Sequence, residues 1–77
     1  MSAAYVLIDV KVGKAQEVLG NIRKINEVKQ AHLITGDHDI VAYVETSDVN
    51  NLGDLVLTQI HTINGVGRTA LCLAREN

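Results

Sequence analysis

The sequence contains no proline, no tryptophan and no phenylalanine, and its one cysteine is Cys72. A single cysteine cannot form an internal disulfide, so we expect the protein in the reducing cytoplasm. No N-terminal segment has the basic, apolar and small-residue pattern of a signal peptide. No apolar run approaches the roughly 20 residues of a membrane-spanning helix. The formal net charge of -2 predicts no large electrostatic attraction to nucleic acid or to an anionic membrane.

The chain is short, with 77 residues, of which 47% are hydrophobic and 21% are charged. A domain of this size buries only about 60% of the surface that its unfolded chain exposes. Without proline, internal repeats or low-complexity stretches there is no candidate linker, so we predict one domain, residues 1–77. The marginal burial favours association with further subunits.

The hydrophobic pattern predicts first a strand and then a helix. Apolar residues alternate along residues 3–12, which is typical of a half-buried strand, and Gly13 ends the alternation. Residues 15–25 then repeat apolar side chains at helical spacing. The strand residues expected on one face are Ala4, Val6, Ile8, Val10 and Val12. The helix residues expected on one side are Ala15, Val18, Leu19, Ile22 and Ile25.

Two short β-rich runs, residues 28–34 and 40–45, flank a polar connection and predict an antiparallel hairpin. Ser47 is the expected N-cap of a second helix, which Asn64 and Gly65 end. The apolar residues of that helix are expected to be Val49, Leu52, Val56, Ile60 and Ile63. Residues 66–74 form the last predicted strand. The order βαββαβ predicts an α+β fold of the ferredoxin-like type.

Alternate residues of the last strand predict two different faces for the sheet. The residues expected toward the helices are Ala70, Cys72 and Ala74, with Cys72 as a core filler. The residues expected on the open face are Leu7, Thr69, Leu71 and Leu73, joined by either Val41 and Tyr43 or Ala42 and Val44. Burying a few hundred square ångströms of this face contributes roughly 5 to 10 kcal/mol before association entropy is subtracted. We therefore predict a face-to-face dimer that forms an α/β barrel.

The connection Thr35-Gly36-Asp37-His38-Asp39 concentrates charge, glycine and histidine within the hairpin. A hairpin turn needs only a glycine with positive φ and one Asp or Asn, so a second carboxylate indicates a binding loop. A free amino acid needs a carboxylate partner for its ammonium group and N–H or hydroxyl donors for its carboxylate. This loop contains both kinds of group.

Residues 32–41, His-Leu-Ile-Thr-Gly-Asp-His-Asp-Ile-Val, followed by a capped helix and by Gly65-Val66-Gly67-Arg68-Thr69, resemble the ligand-binding domain of the Lrp/AsnC family. The resemblance extends from the first strand to Ala74. It implies a module that dimerises, senses amino acids and acts in transcriptional regulation. Family regulators also carry an N-terminal helix-turn-helix. Because Met1 and Ser2 directly precede the first strand, we expect a stand-alone sensing module that does not bind nucleic acid directly.

The resemblance also implies an effector pocket between neighbouring dimers, in an octamer or a similar ring. The implied ligand-binding residues are Thr35, Gly36, Asp37, His38, Asp39, Thr69 and Leu71. Asp37 and Asp39 are the implied partners of an ammonium group, and Leu71 stands where many family members carry a second threonine. The expected partners are thus a small molecule, in the first place an amino acid, further copies of this chain, and full-length family regulators.

In that pocket Gly36 would allow close backbone approach, Thr35 and Thr69 would supply hydroxyls, and His38 would cover the mouth. Simpler roles stay open for several of these residues. Asp39 would equally cap its own turn, Gly36 would serve turn geometry alone, and Thr69 would be an ordinary strand residue. The histidine and carboxylate spacing is not that of a zinc site, so we predict no metal and no cofactor.

Two other functions remain as alternatives. The chain would act as a structural partner if it joined full-length family regulators through its open sheet face without a ligand of its own. A small dimeric barrel enzyme of the monooxygenase or isomerase type would need a cavity with a general acid or base, for which Tyr5, Tyr43 and His32 are the candidates. Since no spacing singles out a nucleophile, we predict a binding module and not an enzyme.

Overall fold

The computed structural model describes residues 1–74, so the last three residues of the predicted domain, 75–77, lie outside the described residues. The strands are β1 (Ser2–Val10), β2 (Val28–Leu33), β3 (Ile40–Thr46) and β4 (Val66–Leu73), and the helices are α1 (Ala15–Ile22) and α2 (Val49–Leu55). A π-helical segment, Val56–Ile60, continues α2. The four strands form one antiparallel sheet in the order β2-β3-β1-β4. The predicted ferredoxin-like α+β fold is confirmed.

Both helices pack on one face of this sheet, and the core lies between them. The alternation in β1 was predicted correctly, since Ala4, Val6 and Ile8 are completely buried. The buried residues of the helical layer are Val18, Leu19, Ile22, Leu52, Leu55, Val56 and Ile60. Burying an apolar side chain of the Val or Ile kind stabilises the fold by about 1.5 to 3 kcal/mol. None of the helices in residues 1–74 has the length and apolar content needed to span a bilayer.

Several predicted ends and faces were wrong by a few residues. Strand β1 ends at Val10, and Val12 is fully exposed because the chain turns there and Lys11 donates its backbone N–H to Gly65 O at 2.8 Å. Strand β2 ends at Leu33, so Ile34 belongs to the loop. Val49 is 51% exposed and does not join the apolar side of the second helix.

The N-cap of α2 is Asp48 and not Ser47. Asp48 is extended, with φ -150° and ψ 169°, and its Oδ1 accepts the backbone N–H groups of Asn50 at 2.9 Å and Asn51 at 3.2 Å. Ser47 instead accepts a bond from the Asn51 side chain at 2.7 Å. The helix ends in the π-helical segment, where the N–H of His61 donates to Val56 O at 2.7 Å.

The predicted faces of β4 were reversed. Leu71 lies opposite Val6 and Leu73 lies opposite Ala4, which are buried under the helices, so both leucines lie on the helix side. Because β4 is an edge strand that the helices leave partly uncovered, these leucines are 38% and 51% exposed. Thr69, which lies opposite Ile8, is on the helix side as well.

Ala70 and Cys72 lie on the open face, opposite Leu7 and Tyr5, so Cys72 is an exposed surface thiol and not a core filler. The pairing of β1 with β3 places Val41 and Tyr43 on the open face as well, and not the alternative pair Ala42 and Val44. The rings of Tyr5 and Tyr43 contact each other with their centroids 5.2 Å apart. The apolar residues of the open face therefore include Tyr5, Leu7, Val41, Tyr43, Ala70 and Cys72.

Candidate functional site

The loop between β2 and β3 is held at its base by backbone hydrogen bonds. Ile34 N–H donates to Asp39 O at 2.9 Å, and Asp39 N–H donates to Ile8 O at 3.0 Å, which attaches the loop to β1. Gly36 has φ +139°, a conformation that other residues rarely adopt. Thr35, Gly36 and Asp37 are exposed. The fold thus presents the tip of the loop to solvent at one end of the sheet.

The two carboxylates of the loop have different surroundings. Asp39 Oδ2 accepts the backbone N–H of Val10 at 2.9 Å, across 29 residues of sequence. Its carboxylate therefore joins the loop to the end of β1, which is a structural role. The Asp37 side chain makes no hydrogen bond or ion pair within residues 1–74, so its whole carboxylate is available to a ligand.

His38 belongs to a cluster of ionisable side chains, here called the Asp9 cluster, that consists of Asp9, His38 and Arg68. His38 Nδ1 lies 3.0 Å from Asp9 Oδ1, and Arg68 Nε lies 3.5 Å from Asp9 Oδ2. The cluster links the loop, the end of β1 and the start of β4. Sequence reasoning missed Asp9 and Arg68. The one available signal was a carboxylate within an otherwise apolar run of alternating residues.

The register places the side chains of Thr69 and Leu71 on the helix side of the sheet, whereas Asp9 and Arg68 lie opposite each other on its open side. Thr69 and Ile40 both lie opposite Ile8, so Thr69 is two strand spacings, about 10 Å, from the end of the loop. The Thr69 hydroxyl is 3.5 Å from His61 Nδ1, at the outer limit of a hydrogen bond. Leu71 lies two residues further along β4. One subunit therefore does not bring Leu71 and the loop tip to a common pocket.

A small depression beside the loop joins part of the predicted site to residues that the sequence did not indicate. It has a volume of about 220 Å³ and is lined by Leu7, Asp9, His38, Arg68, Thr69 and Ala70. Of the seven predicted residues, only His38 and Thr69 line it. A larger concavity of about 600 Å³ lies at the opposite end of the sheet, beside Glu27 and Glu45, and contains none of them.

The described residues contain no group of three or more His, Cys, Asp or Glu side chains that could hold a metal ion. The carboxylates of the loop and of β1 are directed to different partners, namely a backbone N–H for Asp39 and an imidazole for Asp9. The side chains at this end of the molecule therefore offer hydrogen bonds and charge.

Comparison with known proteins shows the same kind of domain along nearly the whole chain. Residues 3–76 match the Lrp/AsnC ligand-binding domain. The HTH-type transcriptional regulator FL11 of Pyrococcus abyssi is 38% identical over 66 residues, which are 86% of this chain and 43% of the regulator. The chain thus spans less than half the length of this relative, and several similar sequences are also named as transcriptional regulators.

Solved structures agree with this assignment. The crystal structure of TTHA0845 from Thermus thermophilus superposes with a TM-score of 0.94 and 34% identity, covering 100% of this chain and 96% of that chain. The complex of the transcriptional regulator NMB0573 from Neisseria meningitidis with L-Met superposes with a TM-score of 0.87, covering 97% of this chain and 50% of that chain. At 21% identity, that second likeness concerns the fold alone. The chain belongs to the Lrp/AsnC ligand-binding domain family, whose matched relatives are named as regulators of transcription.

Proposed function

We propose that this chain is a cytoplasmic ligand-binding and oligomerisation module that binds an amino acid or a related small metabolite and modulates transcription indirectly. Its membership of a ligand-binding domain family supports the general role. The L-Met complex of NMB0573 supports the ligand class, because that protein has the same fold. Relatives named as transcriptional regulators support the regulatory output and a function other than catalysis.

The observation that carries the proposal is the exposed loop tip with an unengaged carboxylate. The Asp37 side chain has no partner within residues 1–74, whereas Asp39 is held by Val10. An ammonium group would pair with Asp37, and the N–H and hydroxyl groups around Thr35 and Gly36 would receive a carboxylate. Asp37 is therefore the stronger candidate of the two predicted ammonium partners.

The placement of Leu71 supports a pocket shared between subunits. The loop tip and Leu71 lie on different parts of one subunit, so a small ligand could contact both only if they came from neighbouring copies. The apolar open face provides the dimer contact, and dimers would then join near the loop to form an octamer or a similar ring. A pocket shared by two dimers couples ligand binding to assembly, since the ligand binds the assembled form preferentially.

Native mass spectrometry tests this proposal. The purified protein is measured with and without a pool of the common amino acids, and the subunit number and the retained mass are recorded together. We expect one ligand mass for each loop site and a shift toward the larger assembly. The Asp37→Ala variant should lose both effects together, whereas Lys24→Ala, an exposed residue distant from the loop in sequence, should keep both. Loss of ligand without any change in assembly would contradict the shared pocket.

A second candidate function is structural co-assembly with full-length family regulators, without a ligand of its own. The observation that favours it is Leu71, which places an apolar side chain where the resemblance implies a hydroxyl. An assembly that retains no amino acid and ignores the pool would support this candidate. The Leu71→Thr variant would then gain amino-acid retention, because it restores the hydroxyl.

A further inference from the structure

The imidazole of His38 is held by one of its two nitrogens, and the other is accessible to solvent. Nδ1 lies 3.0 Å from Asp9 Oδ1, and the ring makes no other hydrogen bond within residues 1–74. Every buried side-chain nitrogen or oxygen in this part of the chain has a hydrogen-bond partner. Because Nε2 has no partner and the residue is only partly buried, Nε2 is not among the buried atoms. His38 therefore presents one polar atom to solvent.

Asp9 decides which nitrogen carries the proton of the neutral imidazole. An ionised carboxylate has no proton to donate, so its contact with His38 requires the proton on Nδ1. Nε2 then has a free lone pair and accepts hydrogen bonds. The solvent-accessible nitrogen of His38 is consequently an acceptor and not a donor.

Arg68 fixes the orientation of the Asp9 carboxylate. It lies directly opposite Asp9 in the pairing of β1 with β4, and its Nε is 3.5 Å from Asp9 Oδ2. The guanidinium has donors only, so the atom that faces it has to be an acceptor. In an Asp9→Asn variant the amide oxygen would therefore face Arg68, and the NH₂ group would donate to His38 Nδ1. This reverses the tautomer of His38 without changing the shape of the side chain at position 9.

Neither residue needs the open face of the sheet to be accessible. His38 belongs to the loop between β2 and β3, whereas the apolar residues of the open face lie within the strands. Asp9 acts through the imidazole and does not have to contact a ligand. The proposed dimer contact across the open face is therefore compatible with a role for both residues.

Asp37 directly precedes His38 in the loop, so their Cα atoms are about 3.8 Å apart. The Asp37 carboxylate is exposed and has no partner within residues 1–74, whereas Asp39 accepts the N–H of Val10. A primary ammonium group has three N–H donors, and one carboxylate oxygen satisfies only one of them. The loop thus places a second acceptor, His38 Nε2, next to the residue that supplies the negative charge.

We propose that His38 accepts, through Nε2, a second hydrogen bond from the ammonium group of the bound amino acid, whose charge pairs with Asp37. Asp9 is a positioning residue that keeps the proton on Nδ1. This inference rests on the proposed function and narrows its ligand to compounds whose ammonium nitrogen has at least two N–H donors. Compounds with a quaternary nitrogen are excluded.

NMR of the histidine side-chain nitrogens tests the positioning role in the protein without ligand. At about pH 8, where histidine is in general neutral, we expect His38 to be protonated at Nδ1. The His38 signals are assigned by their absence from His38→Ala. Asp9→Asn should shift the proton to Nε2, whereas Asp54→Asn, the same change at an exposed residue of α2, should leave it on Nδ1. A parent protein whose His38 is protonated at Nε2 would overturn the proposal.

A competition between methylated and unmethylated amines tests the hydrogen bond to the ligand. Reductive methylation converts the ammonium groups of the common amino acids to dimethylammonium groups, which keep the charge but have a single N–H donor. The protein is offered equal amounts of the untreated and the methylated pool, and native mass spectrometry identifies the retained compounds by mass. We expect the parent to prefer the untreated pool at least about tenfold, because a hydrogen bond to a charged group is lost on methylation.

Asp9→Asn and His38→Ala should both abolish this preference, and Asp54→Asn should keep it. A preference that persists in His38→Ala would mean that the methyl groups are rejected by lack of space alone, which would overturn the proposal. Equal retention of both pools by the parent would also overturn it and would leave the proposed function intact. A parent that retains neither pool would contradict the proposed function itself, so the two failures are distinguishable.

Discussion

Gly65 connects the second helix to β4 and has a conformation that no other residue type adopts without strain. Its φ is +104°, and a Cβ atom at this position would lie 2.9 Å from Val18 Cγ2 and 3.0 Å from Lys14 Cβ. Its carbonyl also accepts the N–H of Lys11 at the end of β1. The residue therefore holds the ends of β1, α1 and β4 together below the Asp9 cluster.

Gly65→Ala should lower the free energy of unfolding by about 1 to 3 kcal/mol, because both the positive φ and the contact with Val18 oppose a side chain. Gly20→Ala is the matched control. Gly20 lies within α1 at ordinary φ, and a Cβ atom added there would have no neighbouring atom within 4 Å, so alanine should stabilise the protein by about 0.5 to 1 kcal/mol. Urea denaturation at one protein concentration measures both changes. Equal effects of the two variants would refute the conformational argument.

The start of the second helix could be capped by either of two adjacent residues, and the structure shows which one is the N-cap. Ser47 and Asp48 both belong to the preferred N-cap types, and sequence spacing favours neither strongly. In the structure the Asp48 side chain accepts two backbone N–H groups, whereas Ser47 bonds only to an exposed side chain. The start of the helix consequently depends on Asp48.

Asp48→Ala should destabilise the protein by about 0.5 to 2 kcal/mol, which is the usual cost of losing an N-cap. Ser47→Ala should cost clearly less, since the bond that it removes is between two exposed side chains. Thermal unfolding followed by circular dichroism compares the two variants. A larger loss for Ser47→Ala would show that the helix begins one residue earlier.

The molecule has two exposed apolar surfaces, one on the open face of the sheet and one on the helix side. Tyr5, Leu7, Val41 and Tyr43 lie on the open face, and Leu57, Leu71 and Leu73 are exposed on the helix side. The open face is continuous across three strands, whereas Leu71 and Leu73 lie on the edge strand and Leu57 lies on the helical layer. The proposed dimer therefore uses the open face.

Tyr5→Glu should weaken the dimer at least about a hundredfold, because a carboxylate buried without a partner costs several kcal/mol. Leu57→Glu introduces the same charge at a residue that is 67% exposed on the helical layer and should leave the dimer intact. Sedimentation velocity over a range of concentrations distinguishes these outcomes. A dimer that survives Tyr5→Glu and dissociates in Leu57→Glu would move the interface to the helix side.

By itself, the sequence determined the order of the elements, the ferredoxin-like fold, the buried face of β1 and the position of the polar loop. These features follow from local periodicity and turn chemistry, which depend on residues that are close together in the sequence. The faces of β4 were decided only by the tertiary structure, because both sets of alternating residues in that strand are apolar enough to be buried. Pairing with β1 settled which set faces the helices.

The candidate site was likewise predicted in part from the sequence and decided in part by the tertiary structure. Local pattern identified the loop Thr35–Asp39 and the family that carries it, whereas the partners of its side chains come from distant parts of the chain. His38 meets Asp9 and Asp39 meets Val10 across 29 residues, and Arg68 reaches the same point from β4. Only the antiparallel pairing of β1 with both β3 and β4 brings these residues together. Hydrogen bonds form over a few ångströms, so they require that pairing to be in place. The periodicity of the sequence does not show which distant residues come into contact.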